Sequence, residues 1–346
     1  MSIKWRSSFF LLLSFILCGV TLQAQSKNQS GYRVLKQYHL GGEGGWDYLT
    51  MDSKNRRLYV SHATHVVVVN ADTGAIVGDI LDTPGVHGVA VVDDAGKGYV
   101  SNGRASTVTV FDLKSLKALK QIPVGKNPDT IIYDEASKRV FTMNGASQDV
   151  TAIDVKTDTV AGTLALGGRP EFAVTDEQGN VFVNLEDKSA IVEFNSRKLA
   201  VEANWPVAPA EEPSGLAFDR KHRRLFSVGS NKLMAVVNAD TGKVLTTLPI
   251  GSGVDAAAFD PETGFIFSSN GEGTLTIMHE DSRDKYSVVE TVTTQKGART
   301  MALDPKTHQV YLVTAEFGPP PAPTPERPRP RPSIVPGTFK LLVIGK

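Results

Sequence analysis

The segment Asn-Ala-Asp-Thr-Gly occurs at residues 70–74 and again at 238–242, 168 positions later, which is four periods of 42. The same interval separates the polar residues that close hydrophobic runs at Asn70, Asp112, Asp154, Asn195 and Asn238, in steps of 42, 42, 41 and 43. A second series opens other runs: Asp47, His87, Asp129, Glu171, Ser214, Asp255 and Arg299, in steps of 40, 42, 42, 43, 41 and 44. A chain that repeats itself at such a period stacks one supersecondary unit on the next, because no unit can bury its own apolar faces alone. Seven β-rich units predict an all-β fold, a seven-bladed β-propeller of four-stranded sheets.

The fifth unit shows the pattern within one period. SGLAFD (214–219), LFSV (225–228), LMAVVNADTG (233–242) and KVLTTLPIG (243–251) are four short β-rich runs separated by turn residues. Runs rich in Val, Leu, Phe and Ala suit strands buried between stacked blades. The Asx-x-x-Thr-Gly segment signals a hairpin, since glycine supplies the positive φ such turns require. Asp52, Asp134, Asp176, Asp219, Asp260 and Asp304 end the first run of their units and read as turn formers. The seventh unit has only three runs, MALD, VYLVTAEF and FKLLVIGK, while Tyr32–Leu40 is an unpartnered run at the other end. Pairing the two termini closes the ring and removes two sheet edges, so the N-terminal strand is expected on the outside of the last blade. Residues 318–337 interrupt that blade with nine prolines, a density that favours solvated polyproline II over a sheet.

The first 24 residues read as a secretory signal: Lys4 and Arg6, then the apolar run Phe9–Val20, then Leu22-Gln23-Ala24 before Gln25. A short leader (25–31) and one propeller domain (32–346, with the 318–337 insertion) would follow. The apolar run is short for a bilayer crossing, so no transmembrane segment is expected in the mature chain, which should be periplasmic or secreted. Cys18 is the only cysteine, and Leu17 before it is too large for a typical lipoprotein site. The mature chain therefore excludes disulfides, thiolate metal sites, a thiol nucleophile and c-type haem attachment. Without Lys4 and Arg6 it carries 35 basic against 37 acidic residues, a balance that argues against a nucleic-acid partner.

The second run of each unit carries a recurring motif: YVSH (59–62), YVSN (99–102), FTMN (141–144), FVNL (182–185), FSVG (226–229), FSSN (267–270) and YLVT (311–314). With the VxVx(D/N)xxTG hairpins that follow, it resembles the YVTN-repeat β-propeller family of exported prokaryotic proteins, over residues 32–346. In fold only, the chain also resembles the quinoprotein amine dehydrogenase heavy-chain-like propellers. No copy reads YVTN itself, and units four, five and seven carry Leu185, Gly229 and Thr314 at the fourth position where the others carry Asn or His. The resemblance implies a seven-bladed propeller with an axial channel, but no single activity.

By analogy with propellers, the start of each innermost strand lines one channel mouth. Asp47, His87, Asp129, Glu171, Asp255 and Arg299, with Ser214, would then converge on the axis as a ligand-binding ring. Arg299 would stand between Asp255 and Asp47, as an ion-pair partner or as an anchor for a ligand anion. His62 and His65 flank the loop Ala63-Thr64 on the same face and, with His87, form a candidate site for Zn²⁺, Cu²⁺ or Fe²⁺. Asp47, Asp129, Glu171 and Asp255 could alternatively hold Ca²⁺ or Mg²⁺. No cofactor is specified beyond such a divalent ion.

The favoured expectation is a monomeric, non-catalytic propeller binding a small molecule or a protein at the ring face. One alternative is a metal-assisted lyase or hydrolase with His87 as the catalytic base; another is a structural envelope protein. No G-x-S-x-G elbow or HExxH is present. The proline-rich insertion, with Glu326, Arg327, Arg329 and Arg331, should project from the ring face as a solvated loop, a lid or a docking strand.

Overall fold

The computed structural model describes residues 1–3, 30–324, 330 and 332–346. The signal-like segment from Lys4 onward and Glu326, Arg327, Arg329 and Arg331 lie outside the described residues. Seven four-stranded antiparallel sheets follow one another as blades. Their innermost strands are Trp46–Asp52, Val86–Val92, Pro128–Asp134, Pro170–Thr175, Pro213–Asp219, Val254–Phe259 and Met301–Asp304. Among the described residues, no helix is long and apolar enough to cross a membrane.

The last blade is completed by the N-terminal strand Arg33–His39, which pairs antiparallel with Lys340–Gly345 from Arg33↔Gly345 to His39↔Lys340. This is the closure expected from the missing run of unit seven. Blade six departs from the repeat, because its outer strands Thr274–Ser282 and Lys285–Thr293 form a longer hairpin.

The motif residues have distinct physical roles. Its aromatic first position supplies Tyr59, Tyr99, Phe141, Phe182, Phe226, Phe267 and Tyr311, all fully buried between blades. Such rings contribute more apolar area than any other side chain of similar strand propensity. The Asx residues cap the hairpins: Asn70 Oδ1 accepts the amide hydrogens of Asp72 and Thr73, and Asn238 Oδ1 those of Asp240 and Thr241. Gly74 and Gly242 follow at φ +73° and +69°. The run-ending aspartates act as turn formers. Asp134 accepts from the amide of Ser137, Asp219 from Lys221, and Asp304 from Lys306.

The proline-rich insertion joins Gln309–Thr314 to Lys340–Gly345 and therefore leaves from the ring face. Its base does make sheet-like contact. Phe317 and Ile334 form an isolated antiparallel bridge, and Phe317 packs 6.1 Å from the ring of Trp46.

Candidate functional site

The ring residues are aimed by a repeated irregularity. In blades one to six the first two strands lose register by one residue, between Trp46 and Leu49, Val86 and Val89, Pro128 and Ile131, Pro170 and Ala173, Pro213 and Leu216, and Val254 and Ala257. Each bulge holds Asp47, His87, Asp129, Glu171, Ser214 or Asp255. A β-bulge bends its strand and redirects the side chains on it. Serines of the neighbouring strand satisfy the freed backbone. Ser61 Oγ accepts from the amides of Asp47 and Tyr48 at 3.0 and 2.8 Å, and Ser101 Oγ accepts from Gly88 at 2.9 Å. Arg299 differs in preceding its strand, with its carbonyl held by Ser269 Oγ.

The side chains form a linked chain of charges. Arg299 donates from Nη1 to Asp255 Oδ1 at 2.6 Å and from Nη2 to Asp47 Oδ1 at 3.1 Å. Asp47 Oδ2 lies 2.5 Å from His87 Nδ1, and Asp129 Oδ1 lies 3.5 Å beyond it. Glu171 is approached by Arg169 at 3.7 Å. Asp129 Oδ1 is buried and receives no hydrogen bond. Ser214 takes part through its backbone carbonyl, which accepts from Asn184 Nδ2.

These contacts set the protonation states. Burial works against a charge on His87, but the Asp47 hydrogen bond and the charges of Asp129, Asp47 and Glu171 outweigh it and raise its pKa to about 9. The imidazole is thus a proton donor at neutral pH, whereas a general base has to be neutral. Burial raises Asp255 to about 7 despite Arg299, with Asp47 and Glu171 adding to the shift. Asp129 and Glu171 are raised by burial and by neighbouring carboxylates, to about 6 and about 7.

Two aromatic residues belong to the same mouth. Tyr48 stacks on Phe172 with centroids 4.8 Å apart, and its hydroxyl lies 2.5 Å from Thr130 Oγ1. The signal was available in the repeat. The residues following the seven ring positions are Tyr48, Gly88, Thr130, Phe172, Gly215, Ala256 and Thr300, and only two of these are aromatic.

The histidine trio is not brought together. His62 is buried against Phe339, its ring stacked at 4.5 Å, and burial lowers its pKa. His65 packs edge-on to His62 and approaches Asp79 at 3.9 Å. His87 turns instead to Asp47 and Asp129. Among the described residues the three-ligand groups able to hold a cation are Asp47–His87–Asp129 and Asp219–His222–Glu280. The four ring carboxylates do not make a single cluster either, because Asp255 is turned to Arg299 and Glu171 to Arg169.

No protein-family model and no curated protein matches the sequence. Its structure is similar to a chain of Kuenenia stuttgartiensis hydrazine synthase (TM-score 0.68, 18% identity, covering 78% of this chain and 92% of that one). It is also similar to a chain of the mitotic checkpoint complex (TM-score 0.71, 16% identity, covering 90% and 96%). At these identities the likeness is one of fold: the chain is an all-β, seven-bladed propeller, an architecture compatible with ligand or protein binding.

Proposed function

We propose that this protein is an exported, monomeric member of the YVTN-repeat propellers that binds a small polar ligand at the channel mouth without transforming it. The observation that carries this reading is the uneven pairing of the ring. Asp47 and Asp255 are neutralised by Arg299 and His87, whereas Asp129 keeps a buried oxygen that accepts no hydrogen bond, with His87 3.5 Å away, and Glu171 has only the distant Arg169, itself paired with Glu186. Largely buried carboxylates whose hydrogen bonds are incomplete favour an incoming cation or hydrogen-bond donor. The stacked Tyr48 and Phe172 add an aromatic surface suited to an organic cation. The ligand class is therefore a small amine or other cationic molecule.

A panel of small amines and zwitterions, screened by thermal shift and followed by calorimetry, tests this reading. Binding should weaken as pH falls through about 7 and about 6, where Glu171 and Asp129 take up protons. It should be lost in Asp129→Asn and Glu171→Gln. A ligand that binds equally well to both variants, or no ligand among the cations, overturns it. Export is tested separately, by the N-terminus of the mature protein and its cellular fraction.

A protein partner at the same face is the second reading. The insertion favours it, since its base packs beside the channel mouth at Trp46, and a similar propeller is a component of the mitotic checkpoint complex. Loss of partner capture after removal of residues 319–332, with unchanged melting, supports it.

A further inference from the structure

The face opposite the ring carries a second charged cluster, and it arises where one blade combines glycine at one position with a carboxylate at another. The first position precedes the second strand of each blade, at positive φ where it is not glycine: Arg56, Gly96, Lys138, Gly179, Arg223, Gly264 and His308. In three blades this residue reaches back to the turn aspartate of the preceding blade. Arg56 donates to Asp304, Arg223 approaches Asp176 at 3.5 Å, and His308 meets Asp260 at 2.7 Å. Gly96 and Gly179 cannot do so, and there the preceding aspartate is satisfied by neutral donors. Asn55 binds Asp52, and Ser137 and Thr175 bind Asp134.

Blade six has Gly264 here, so Asp219 of blade five receives no cation from it. The second position is defined by its backbone bond to the first: Ala71, Leu113, Val155, Ser196 and Ala239 donate their amide hydrogens to residues 56, 96, 138, 179 and 223. The equivalent donor to Gly264 is Glu280, at 2.9 Å. A carboxylate thus replaces an uncharged residue beside an aspartate that already lacks its cation. Both side chains are nearly inaccessible, at 2% exposure for Asp219 and 4% for Glu280. His222 stands between them, with Nδ1 2.9 Å from Asp219 Oδ2 and 3.1 Å from Glu280 Oε1, and its ring is about one-third exposed. Arg224, which donates to the His222 carbonyl at 2.8 Å, is committed to Asp284 at 2.7 Å. Tyr286 donates toward Glu280 at 3.4 Å. Burial and the charge of Asp219 both push the Glu280 carboxyl above its usual range.

Two buried carboxylates side by side repel unless a proton or a cation stands between them. Three donor atoms within 4.8 Å of one another, two oxygens and one imidazole nitrogen, match the ligand set of a borderline divalent ion. We propose that Asp219, His222 and Glu280 bind one zinc-class divalent cation between blades five and six, with the solvent side of His222 leaving room for water ligands. The ion would join neighbouring blades at the junction where a second buried carboxylate stands beside the turn aspartate, so its role is to stabilise the ring.

The test uses full-length protein without a histidine tag, stripped of metal and titrated with Co²⁺ and then Zn²⁺. One equivalent of Co²⁺ should produce a visible absorption band that Zn²⁺ abolishes, and Zn²⁺ should raise the melting temperature. His222→Gln and Glu280→Gln should each weaken binding more than roughly 100-fold, beyond the range of losing an outer-shell partner, while His87→Gln still binds. Near-UV circular dichroism checks that each variant is folded, and the partly exposed His222 is less able to disturb packing than the buried Glu280. No saturable binding by the wild type, binding that survives both substitutions, or binding lost in His87→Gln would overturn the proposal; the last would place the ion at the channel mouth.

Discussion

The guanidinium of Arg299 lies 2.6 Å from Oδ1 of Asp255 and with its other nitrogen reaches Asp47 across the closure of the ring. The last blade, whose outer strand comes from the opposite terminus, is thereby also tied at its inner edge to blades on either side.

Replacing Arg299 with Met leaves Asp255 and Asp47 facing each other without their shared cation. Because the arginine side chain is 38% exposed, solvent screens part of the loss, and the cost at pH 8 should be on the order of 1–2 kcal/mol. At pH 5 the cost should shrink, since Asp255 then carries its proton. Urea unfolding at both pH values measures the difference; an equal cost at each would contradict the ion-pair account.

The wild-type protein should lose stability in two steps as pH rises. Asp255, raised to about 7, binds its proton more tightly folded than unfolded. Its contribution is therefore complete below about 4, the ordinary carboxylate value, and is lost as pH rises through about 7. His87, raised to about 9, contributes fully below about 6.5 and loses that contribution as pH rises through about 9. Glu171 and Asp129, raised to about 7 and about 6, share the first step, so Asp255→Asn should reduce it and His87→Gln should flatten the second, in melting curves recorded from pH 5 to 10.

Gly74 should resist even alanine. It sits at φ +73°, and a Cβ there would overlap the ring of Tyr38 on the closing strand. Gly74→Ala should cost about 2 kcal/mol or more, combining left-handed strain with overpacking. In a Tyr38→Ala background the steric part disappears, and the remaining cost should be about 1 kcal/mol. A double-mutant cycle by chemical denaturation separates the two.

Deleting residues 32–40 should uncover the backbone edge of Lys340–Gly345, which otherwise pairs with Arg33–His39. Open sheet edges recruit other chains. Light scattering coupled to size exclusion should show oligomers, with a melting temperature lowered by many degrees. A monomer of unchanged stability would mean that the terminal strand does not hold the ring shut.

Most of the fold and part of the site can be read from residue order. The period of about 42, the Asx caps at Asn70 and Asn238, and the Arg299 position between two carboxylates are all legible, because strand alternation and turn chemistry act within a few residues and then recur. The partners of individual histidines are not. His62 and His87 have the same chemistry on paper, yet one is buried against Phe339 and the other bound to Asp47. The choice depends on where the Phe339 ring, more than 250 positions away, fills space.

By itself the residue order determined the number of blades, their strand pattern, the closure by the N-terminal strand and which side chains open each inner strand. These rest on short-range geometry repeated seven times, so errors do not accumulate. Tertiary structure alone decided that Asp129 is left with an unpaired oxygen, that Tyr48 stacks on Phe172, and that Glu280 is set against Asp219. Those are distances between blades, fixed by the packing of whole sheets, and no pattern within one period encodes them.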